Sequence, residues 1–144
     1  MKYKHTQIGY LIIVVFIATA ILFAVTLVLA DFSLPLTLLM IVVLALLASF
    51  FTLQTVIDET VLKIKFGYGI FKKRFLLKDI SSATLVKNYW YTGWGIRVSF
   101  WPYMWIYNVS GFDAVEIKMK NGKIYRIGTD EPDNLKKAIQ KSIE

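Results

Sequence analysis

The feature that most constrains this chain is a run of 23 consecutive residues without a charge, from Ile8 to Ala30. At about 1.5 Å per residue, a helix of this length crosses a hydrocarbon core of about 30 Å with some tilt. A second charge-free run, from Leu34 to Leu53, is also about one bilayer long, and a link of three residues separates the two runs. Because so short a link forces the helices to be antiparallel neighbours, residues 1–53 are predicted to form a transmembrane helical hairpin with spans at about 8–30 and 34–53.

A cleaved signal peptide is the alternative interpretation of the first run, since Val28-Leu29-Ala30 offers a small residue where a peptidase acts. The run is, however, about twice the usual 7–15 residues of a signal-peptide core, and a second hydrophobic run follows it directly. Neither run contains an ionisable residue, which proton and ion pathways normally need. The hairpin is therefore interpreted as an anchor, and the spacing of Ala20 and Ala24 is compatible with self-association.

Basic residues favour a cytoplasmic position for both termini. Lys2 and Lys4 precede the first span, several basic residues follow the second, and the tip between the spans carries only Asp31. We therefore expect a multi-pass protein of the cell (inner or plasma) membrane with both termini in the cytoplasm.

The remainder of the chain has the composition of an ordinary basic globular domain. The whole chain is 56% hydrophobic with a net charge of +7, but residues 54–144 contain 15 Lys/Arg and 9 Asp/Glu. The absence of cysteine excludes a disulfide-stapled secreted domain. A nucleic-acid partner is not expected, because the positive charge is modest and no recognition-helix pattern is present.

Alternating hydrophobicity predicts a mainly-β domain over residues 54–144. Leu62, Ile64 and Phe66 fall on one face of a strand that begins near Thr60, and a short strand before it (Leu53–Ile57) and one after it (Ile70–Leu77) are also predicted. The clearest hairpin joins Val115–Lys120 to Lys123–Ile127 through Asn121-Gly122, a dipeptide that favours a type I′ turn.

An amphipathic helix is predicted at the end of the chain. Thr129 or Asp130 is expected to cap it, and Pro132 falls in its first turn. Leu135, Ala138 and Ile139 form its apolar stripe. The pattern as a whole indicates about seven strands in a small curved sheet or partly closed barrel with one C-terminal helix.

Several stretches resemble the bacterial pleckstrin-homology-like domains of small membrane proteins. The most specific are Gly93-Trp94-Gly95-Ile96-Arg97 and Arg126-Ile127-Gly128-Thr129-Asp130-Glu131-Pro132. The resemblance covers roughly residues 54–143 and implies a seven-stranded curved sheet closed by a C-terminal helix behind one or two membrane spans. The function of such domains is mostly uncharacterised, so the resemblance implies a fold and a cellular setting.

An enzyme is the class that the sequence favours least. The only histidine, His5, precedes the first span and is interpreted as a membrane-flanking residue, and no cysteine is available as a nucleophile. Asp130, Glu131 and Asp133 suggest a divalent cation, but the start of a helix explains the same residues. No catalytic residue, metal or cofactor is therefore expected.

Two groups of residues are candidates for binding. The first is basic and falls on two neighbouring strands near the membrane, where attraction to an anionic leaflet and plain solvation explain the residues equally well. The second is the segment from Tyr89 to Tyr107, in which nine of nineteen residues are aromatic. These are too many for one buried strand face, so several of Tyr89, Trp90, Tyr91, Phe100, Trp101, Tyr103 and Trp105 are expected to contact a membrane or a partner. The candidate lipid- or partner-binding residues are Lys63, Lys65, Lys72, Lys73, Arg74, Trp90, Trp94, Trp101, Tyr103 and Trp105.

A further set is expected to be structural. Arg97 is predicted to pair with a carboxylate such as that of Asp113 or Glu116. A lipid headgroup phosphate is the less favoured alternative partner. The glycines and the helix start complete this set, which consists of Arg97, Asp113, Gly93, Gly95, Gly122, Asp130 and Pro132.

The leading hypothesis is a membrane-anchored, non-enzymatic binding or scaffold protein that contacts lipid headgroups or a protein partner at the cytoplasmic leaflet. The expected partners are the lipid bilayer and a membrane protein or a second copy of the chain. The alternative hypothesis is an accessory or regulatory subunit of a transporter or export system, or an immunity-type membrane protein, in which the hairpin itself is the recognition element.

Overall fold

A computed structural model describes residues 3–90, 93–100 and 103–144 of the chain. In chain order, its elements are β1 (Tyr3–Ile8), α1 (Tyr10–Leu29), α2 (Leu34–Ala48), β2 (Thr52–Ile57), β3 (Val61–Phe66), β4 (Lys72–Leu76), a 3₁₀ turn (Leu77–Asp79), β5 (Ile80–Lys87), β6 (Gly95–Phe100), β7 (Tyr103–Asn108), β8 (Asp113–Met119), β9 (Ile124–Gly128) and α3 (Pro132–Ile143).

The strands form two sheets that enclose one hydrophobic core. The first sheet has the order β1-β2-β3-β4 and the second the order β5-β8-β9-β7-β6, in which β7 and β9 are parallel and all other neighbours antiparallel. The predicted alternation in β3 is confirmed, since Leu62, Ile64 and Phe66 are buried. A mainly-β domain is thus confirmed, although the expected number of about seven strands is too low for the nine that the structure describes.

The sheet domain contains residues from both sides of the helical pair. Strand β1 pairs with β2 along its whole length, from Tyr3 opposite Ile57 to Ile8 opposite Thr52. The predicted boundary between residues 1–53 and 54–144 therefore passes through a continuous sheet. Strand β1 escaped the sequence pattern because its inward-facing side chains, Tyr3, His5 and Gln7, are polar or amphipathic rather than aliphatic.

Helix α1 is long and apolar enough to cross a membrane, with a mean hydropathy of 3.1. It has 20 residues, or about 30 Å, whereas α2 has 15 residues and measures about 22 Å. The predicted second span to Leu53 is thus too long: the helix ends at Ala48, and the chain turns and enters β2 at Thr52. Neither helix has a buried residue.

Both helices meet the sheets at the same end. The Gly9 N–H donates a hydrogen bond of 2.7 Å to the Phe51 carbonyl oxygen, and the Phe50 ring stacks on Phe71 with ring centroids 5.0 Å apart. The alternating strand directions place the β3–β4, β5–β6, β7–β8 and β9–α3 connections at this end, which we call the helix-proximal end. The β2–β3, β4–β5, β6–β7 and β8–β9 connections lie at the opposite, distal end.

The β8–β9 hairpin forms as predicted, but its turn differs from the expected type I′. Gly122 has a φ of 88°, while Asn121 does not have the positive φ that a type I′ turn requires. The Met119 N–H donates to the Lys123 carbonyl oxygen at 2.8 Å, which closes a three-residue loop. The loop is one residue longer because the Lys120 N–H is bonded to the Asp79 carbonyl oxygen instead of to β9.

The C-terminal helix begins at Pro132 and buries Leu135 and Ile139 as predicted. Its N-cap residue is Glu131, so the expectation of a cap by Thr129 or Asp130 is wrong. The Thr129 hydroxyl oxygen accepts a hydrogen bond from the Glu131 N–H at 3.0 Å and thereby shapes the turn before the helix. Asp130 is instead bonded to β1.

Gly67 in the β3–β4 connection is expected to be far less replaceable than Gly122. Both have a positive φ, which costs a side chain about 1–2 kcal/mol, but a Cβ at Gly67 also lies 2.6 Å from the Ser49 carbonyl oxygen, whereas a Cβ at Gly122 meets nothing. We expect Gly67→Ala to lower the thermal unfolding midpoint of the full chain in detergent clearly more than Gly122→Ala does. If both variants lower the unfolding midpoint equally in circular dichroism melts, the close approach of Gly67 to Ser49 does not contribute to stability.

Candidate functional site

The predicted basic residues divide between two faces of the first sheet. Lys63 and Lys65 on β3 lie directly opposite Arg74 and Lys72 on β4, all on the outer face. Lys73 is opposite the buried Ile64 and therefore belongs to the inner face. The basic cluster is thus an outer face with two like-charge cross-strand pairs and one inward-directed lysine.

Like charges directly opposite each other across two strands are destabilising. The outer basic face therefore lowers the stability of the folded domain. Lys63 is partly compensated, because its Nζ donates a hydrogen bond of 2.8 Å to Asp58 and lowers the pKa of that carboxyl group. Lys65, Lys72 and Arg74 have no ion pair within the described part of the chain. The outer basic face therefore carries three cationic side chains without an ion pair among the described residues.

Lys73 points toward the second sheet, where its Nζ lies 5.7 Å from the centroid of the Tyr125 ring. This distance is within the range of a cation–π contact. The Tyr125 ring is itself held by Phe75, with centroids 4.8 Å apart, and by the parallel Tyr107 ring at 6.5 Å. Lys73 thereby holds a positive charge at the open side between the two sheets.

A cleft of about 200 Å³ opens between β4 and the β6–β7 pair, and we call it the inter-sheet cleft. Lys73, whose side chain faces inward, supplies its charge, while Lys72 lines its edge with a side chain on the outer face. Trp105 forms part of its aromatic wall, with the indole N–H donating to the Tyr103 hydroxyl oxygen at 3.2 Å. The cleft therefore combines one inward-facing ammonium group with an apolar wall. Its lining residues are Phe66, Ile70, Phe71, Lys72, Lys73, Ile96, Trp105 and Tyr107.

Tyr107 forms the floor of the cleft and joins it to the core. The residue is 6% exposed, and burial raises the pKa of its phenol to about 12, with a smaller contribution from Tyr125. The neutral hydroxyl is therefore the form present in the folded protein at physiological pH. It offers a polar atom to the cleft without adding charge.

The aromatic segment from Tyr89 to Tyr107 does not form a single surface. Tyr89, Trp90 and Trp94 lie at the helix-proximal end, whereas Phe100 and Tyr103 lie at the distal end with ring centroids 6.3 Å apart. Trp105 lines the cleft between them, and Tyr107 is core. The predictions for Tyr91 and Trp101 fall outside the described residues. Strand β6 causes this division, because it runs from the helix-proximal end to the distal end.

Trp94 is largely structural rather than a surface anchor. Its ring packs against Phe112 with centroids 6.1 Å apart, and its indole nitrogen is buried without a hydrogen-bond partner among the described residues. Trp90, by contrast, is 76% exposed. The two tryptophans were predicted to share one role, and the structure separates them.

The predicted pairing of Arg97 with Asp113 or Glu116 is wrong. Glu116 accepts a 2.9 Å hydrogen bond from Arg126 on the neighbouring strand β9, and Asp113 lies 3.8 Å from Lys87. The Arg97 Nε instead donates to the Trp94 carbonyl oxygen at 3.1 Å.

The turn that Arg97 closes contains the two predicted structural glycines. Gly93 and Gly95 have φ values of 68° and 91°. A Cβ on Gly93 would lie 3.3 Å from the Arg97 Nε, so glycine allows the side chain to lie against the backbone.

Sequence reasoning missed a polar cluster at the junction of β1 and α3. The His5 Nε2 lies 2.5 Å from the Asp130 carboxylate and its Nδ1 lies 3.6 Å from Glu131, whose carboxylate also accepts a hydrogen bond from the Tyr3 hydroxyl at 3.2 Å. Burial, and then the neighbouring carboxylates, raise the pKa of Tyr3 well above its ordinary value. His5 is therefore a sheet residue tied to the start of α3, not a membrane-flanking residue. No sequence signal joins residues this far apart.

A second cavity was also missed by sequence reasoning. It has a volume of about 850 Å³ and lies at the distal end, between the β4–β5 connection and the last turn of α3. Its apolar wall includes Leu77, Ile80 and Ile143, and Lys78 and Lys120 lie at its rim. Because it opens at the end opposite the helices, it is separate from the inter-sheet cleft.

No protein-family model, curated protein or solved structure matches this chain.

The buried phenol of Tyr107 predicts a specific loss of stability at high pH. Because the folded protein raises the pKa from 10.0 to about 12, its contribution is fully present below pH 10 and is lost as the pH rises toward 12. We expect the unfolding midpoint of the wild type to fall across this range more steeply than that of Tyr107→Phe. The exposed Tyr103→Phe is the matched control and should follow the wild type in thermal melts at each pH. Parallel curves for all three proteins would contradict the prediction.

Proposed function

We propose that this chain is a membrane-anchored, non-enzymatic binding protein whose sheet domain holds an anionic lipid headgroup in the inter-sheet cleft at the cytoplasmic leaflet. The observation that carries the proposal is the position of the cleft. It opens beside the β3–β4 connection, at the end of the domain from which both apolar helices leave.

The anchor is supported by the helical pair. Apolar residues occupy all faces of α1 and α2, neither helix has a buried residue, and many of their large apolar side chains are exposed, as expected for helices whose solvent is lipid. In the sequence, Lys2 and Lys4 precede α1 and the basic residues of β3 and β4 follow α2, while the tip carries Asp31. Under the positive-inside rule this distribution gives two spans with both termini in the cytoplasm.

The chemistry of the cleft suits a small anionic group. A volume of about 200 Å³ is about that of seven water molecules in the liquid, which is enough for a phosphate-bearing headgroup and too little for a whole lipid. Each basic residue near an anionic leaflet contributes about 1 kcal/mol. Lys73 faces into the cleft, Lys72 lines its edge from the outer face, and Lys65 and Arg74 lie nearby on that same outer face.

The resemblance to bacterial pleckstrin-homology-like domains is part of the proposal. Two mainly antiparallel sheets and a C-terminal helix that packs against β5 and β8 are compatible with it. The nine strands and the parallel pairing of β7 with β9 depart from a simple seven-stranded meander. The lipid proposal therefore rests on the residues of the cleft and not on the resemblance.

A role as an accessory subunit of a membrane complex, or as an immunity-type protein, is the second candidate. The observation that favours it is the exposure of apolar side chains around both helices, which also suits packing against helices of a partner. Replacing residues 10–48 with an unrelated apolar hairpin of the same helix lengths separates the two proposals. Retained lipid binding with the foreign helices supports the cleft, whereas loss of a co-purifying membrane partner assigns recognition to the helices.

Removal of the charge of the two lysines that line the cleft is expected to weaken binding of anionic lipid. We expect Lys72→Gln/Lys73→Gln to lower the affinity of the full chain for phosphatidylglycerol by about tenfold or more, since two contributions of about 1 kcal/mol are lost. The measurement is native mass spectrometry of the detergent-solubilised protein titrated with phosphatidylglycerol and, separately, with phosphatidylcholine.

The matched control is Lys136→Gln/Lys137→Gln on α3, which removes the same charge away from the cleft. It should bind phosphatidylglycerol as the wild type does. Equal affinities for the wild type and both variants would refute the headgroup site, and equal losses in both variants would reduce it to a net-charge effect.

A further inference from the structure

The connections at the helix-proximal end are unusually apolar and exposed. Tyr68 and Ile70 in the β3–β4 connection are 59% and 63% exposed, Trp90 in the β5–β6 connection is 76% exposed, and Phe112 in the β7–β8 connection is 45% exposed. No charged residue occurs in 67–71, 88–94 or 109–112. Three separate connections therefore present large apolar side chains at the same end of the domain.

The distal end has the opposite character. Its connections at 58–60, 77–79 and 120–123 each carry charged residues. The β6–β7 connection, flanked by Phe100 and Tyr103, is the uncharged one at that end. Exposed aromatics therefore occur at both ends, but an apolar surface built from several connections occurs only at the helix-proximal end of the part that the structure describes.

The β3–β4 connection is attached directly to the second apolar helix. The Tyr68 hydroxyl donates a 2.6 Å hydrogen bond to the carbonyl oxygen of Ala45, three residues before α2 ends. Gly67 is packed against the Ser49 carbonyl group at the end of the same helix. The connection and the last turn of α2 therefore lie at the same depth along the helix axis.

The length of α2 determines how deep the β3–β4 connection lies relative to the hydrocarbon core of a bilayer. Helix α2 measures about 22 Å, which falls short of a hydrocarbon core of about 30 Å. The charge-free stretch continues beyond it through Leu53. If α2 crosses the core, residues 49–51 and the connection beside them must lie within the boundary of the bilayer and not in water beyond it.

We propose that residues 67–71, 88–90 and 109–112 of these connections enter the headgroup layer, so that the domain docks end-on with Tyr68, Ile70, Trp90 and Phe112 facing lipid. Tyrosine and tryptophan are the side chains that favour this layer, because each has an apolar body and a polar tip. Lys72 and Lys87, which flank these connections in sequence, then lie at the level of the lipid phosphates.

The fourth helix-proximal connection sets the tilt of the docked domain. Residues 129–131 carry two carboxylates. His5 contacts both of them, and the Tyr3 hydroxyl donates a hydrogen bond to Glu131. Carboxylates are unfavourable next to an anionic leaflet. The three uncharged connections therefore contact the bilayer, and the β9–α3 connection lies farther from the bilayer surface.

Depth measurement with site-directed labels tests this inference, which rests on the anchor proposed above. The chain contains no cysteine, so nitroxide labels can be placed at Ile70→Cys and Phe112→Cys in the full protein reconstituted into vesicles of phosphatidylcholine and phosphatidylglycerol. The matched control is Phe100→Cys, an exposed aromatic at the distal end. Val25→Cys in α1 reports on the anchor itself.

The expected result is that labels at Ile70 and Phe112 lose collisions with a water-soluble nickel chelate and gain collisions with oxygen, whereas the label at Phe100 behaves as in water. Water-like labels at Ile70 and Phe112, with a lipid-buried label at Val25, would overturn end-on docking and leave the anchor intact. A water-like label at Val25 would overturn the anchor. A lipid-exposed label at Phe100 would show a different docked face and would also overturn the inference.

Discussion

Strands β1 and β2 are hydrogen-bonded neighbours, although both apolar helices lie between them in the chain. This pairing holds the two ends of the helical segment together, and the Gly9 N–H donates a hydrogen bond to the Phe51 carbonyl oxygen at that point. Because the chain leaves the sheet at Ile8 and returns at Thr52, both helices must project from one end of the domain. The position of the inter-sheet cleft and of the apolar connections relative to the two helices follows from that single constraint.

The cleft illustrates how one lysine differs from its neighbours in an otherwise uniform basic cluster. Lys63, Lys65, Lys72 and Arg74 share the outer face, where the cross-strand pairs repel each other. Lys73 faces inward because its register partner is the buried Ile64, and it meets the ring of Tyr125 in the other sheet. A run of three adjacent basic residues on β4 thereby serves both a surface and a cleft.

Sequence reasoning predicted the local elements well where the periodicity was strong. The alternation in β3, the β8–β9 hairpin and the stripe of α3 are all present, since burial of one face determines each of them locally. It missed β1, whose inner face is polar, and it misjudged the partners of Arg97. The β1–β2 pairing joins residues that are far apart in sequence, as does the contact of His5 with Asp130, and a single sequence contains no signal for either. Arg97 instead bonds to Trp94, three residues away, while the expected carboxylates lie beside Arg126 and Lys87.

The candidate site was predictable in composition but not in arrangement. The sequence identified the basic cluster and the aromatic segment as the unusual features of the domain, and both contribute to the described surfaces. It could not indicate that the aromatic segment would be divided between two ends of the domain. Strand β6, which runs from the helix-proximal end to the distal end, separates Trp90 from Tyr103, and Trp94 packs against Phe112.

By itself, the sequence determined that the chain contains two long apolar runs, a mainly-β domain and a C-terminal amphipathic helix, because hydrophobic length and period are local properties. The tertiary structure decided that the helices leave from one end, that Lys73 reaches the cleft, and that three uncharged connections share the surface beside α2. These relations depend on strand order and register, which are set by burial of the whole core and not by any one segment.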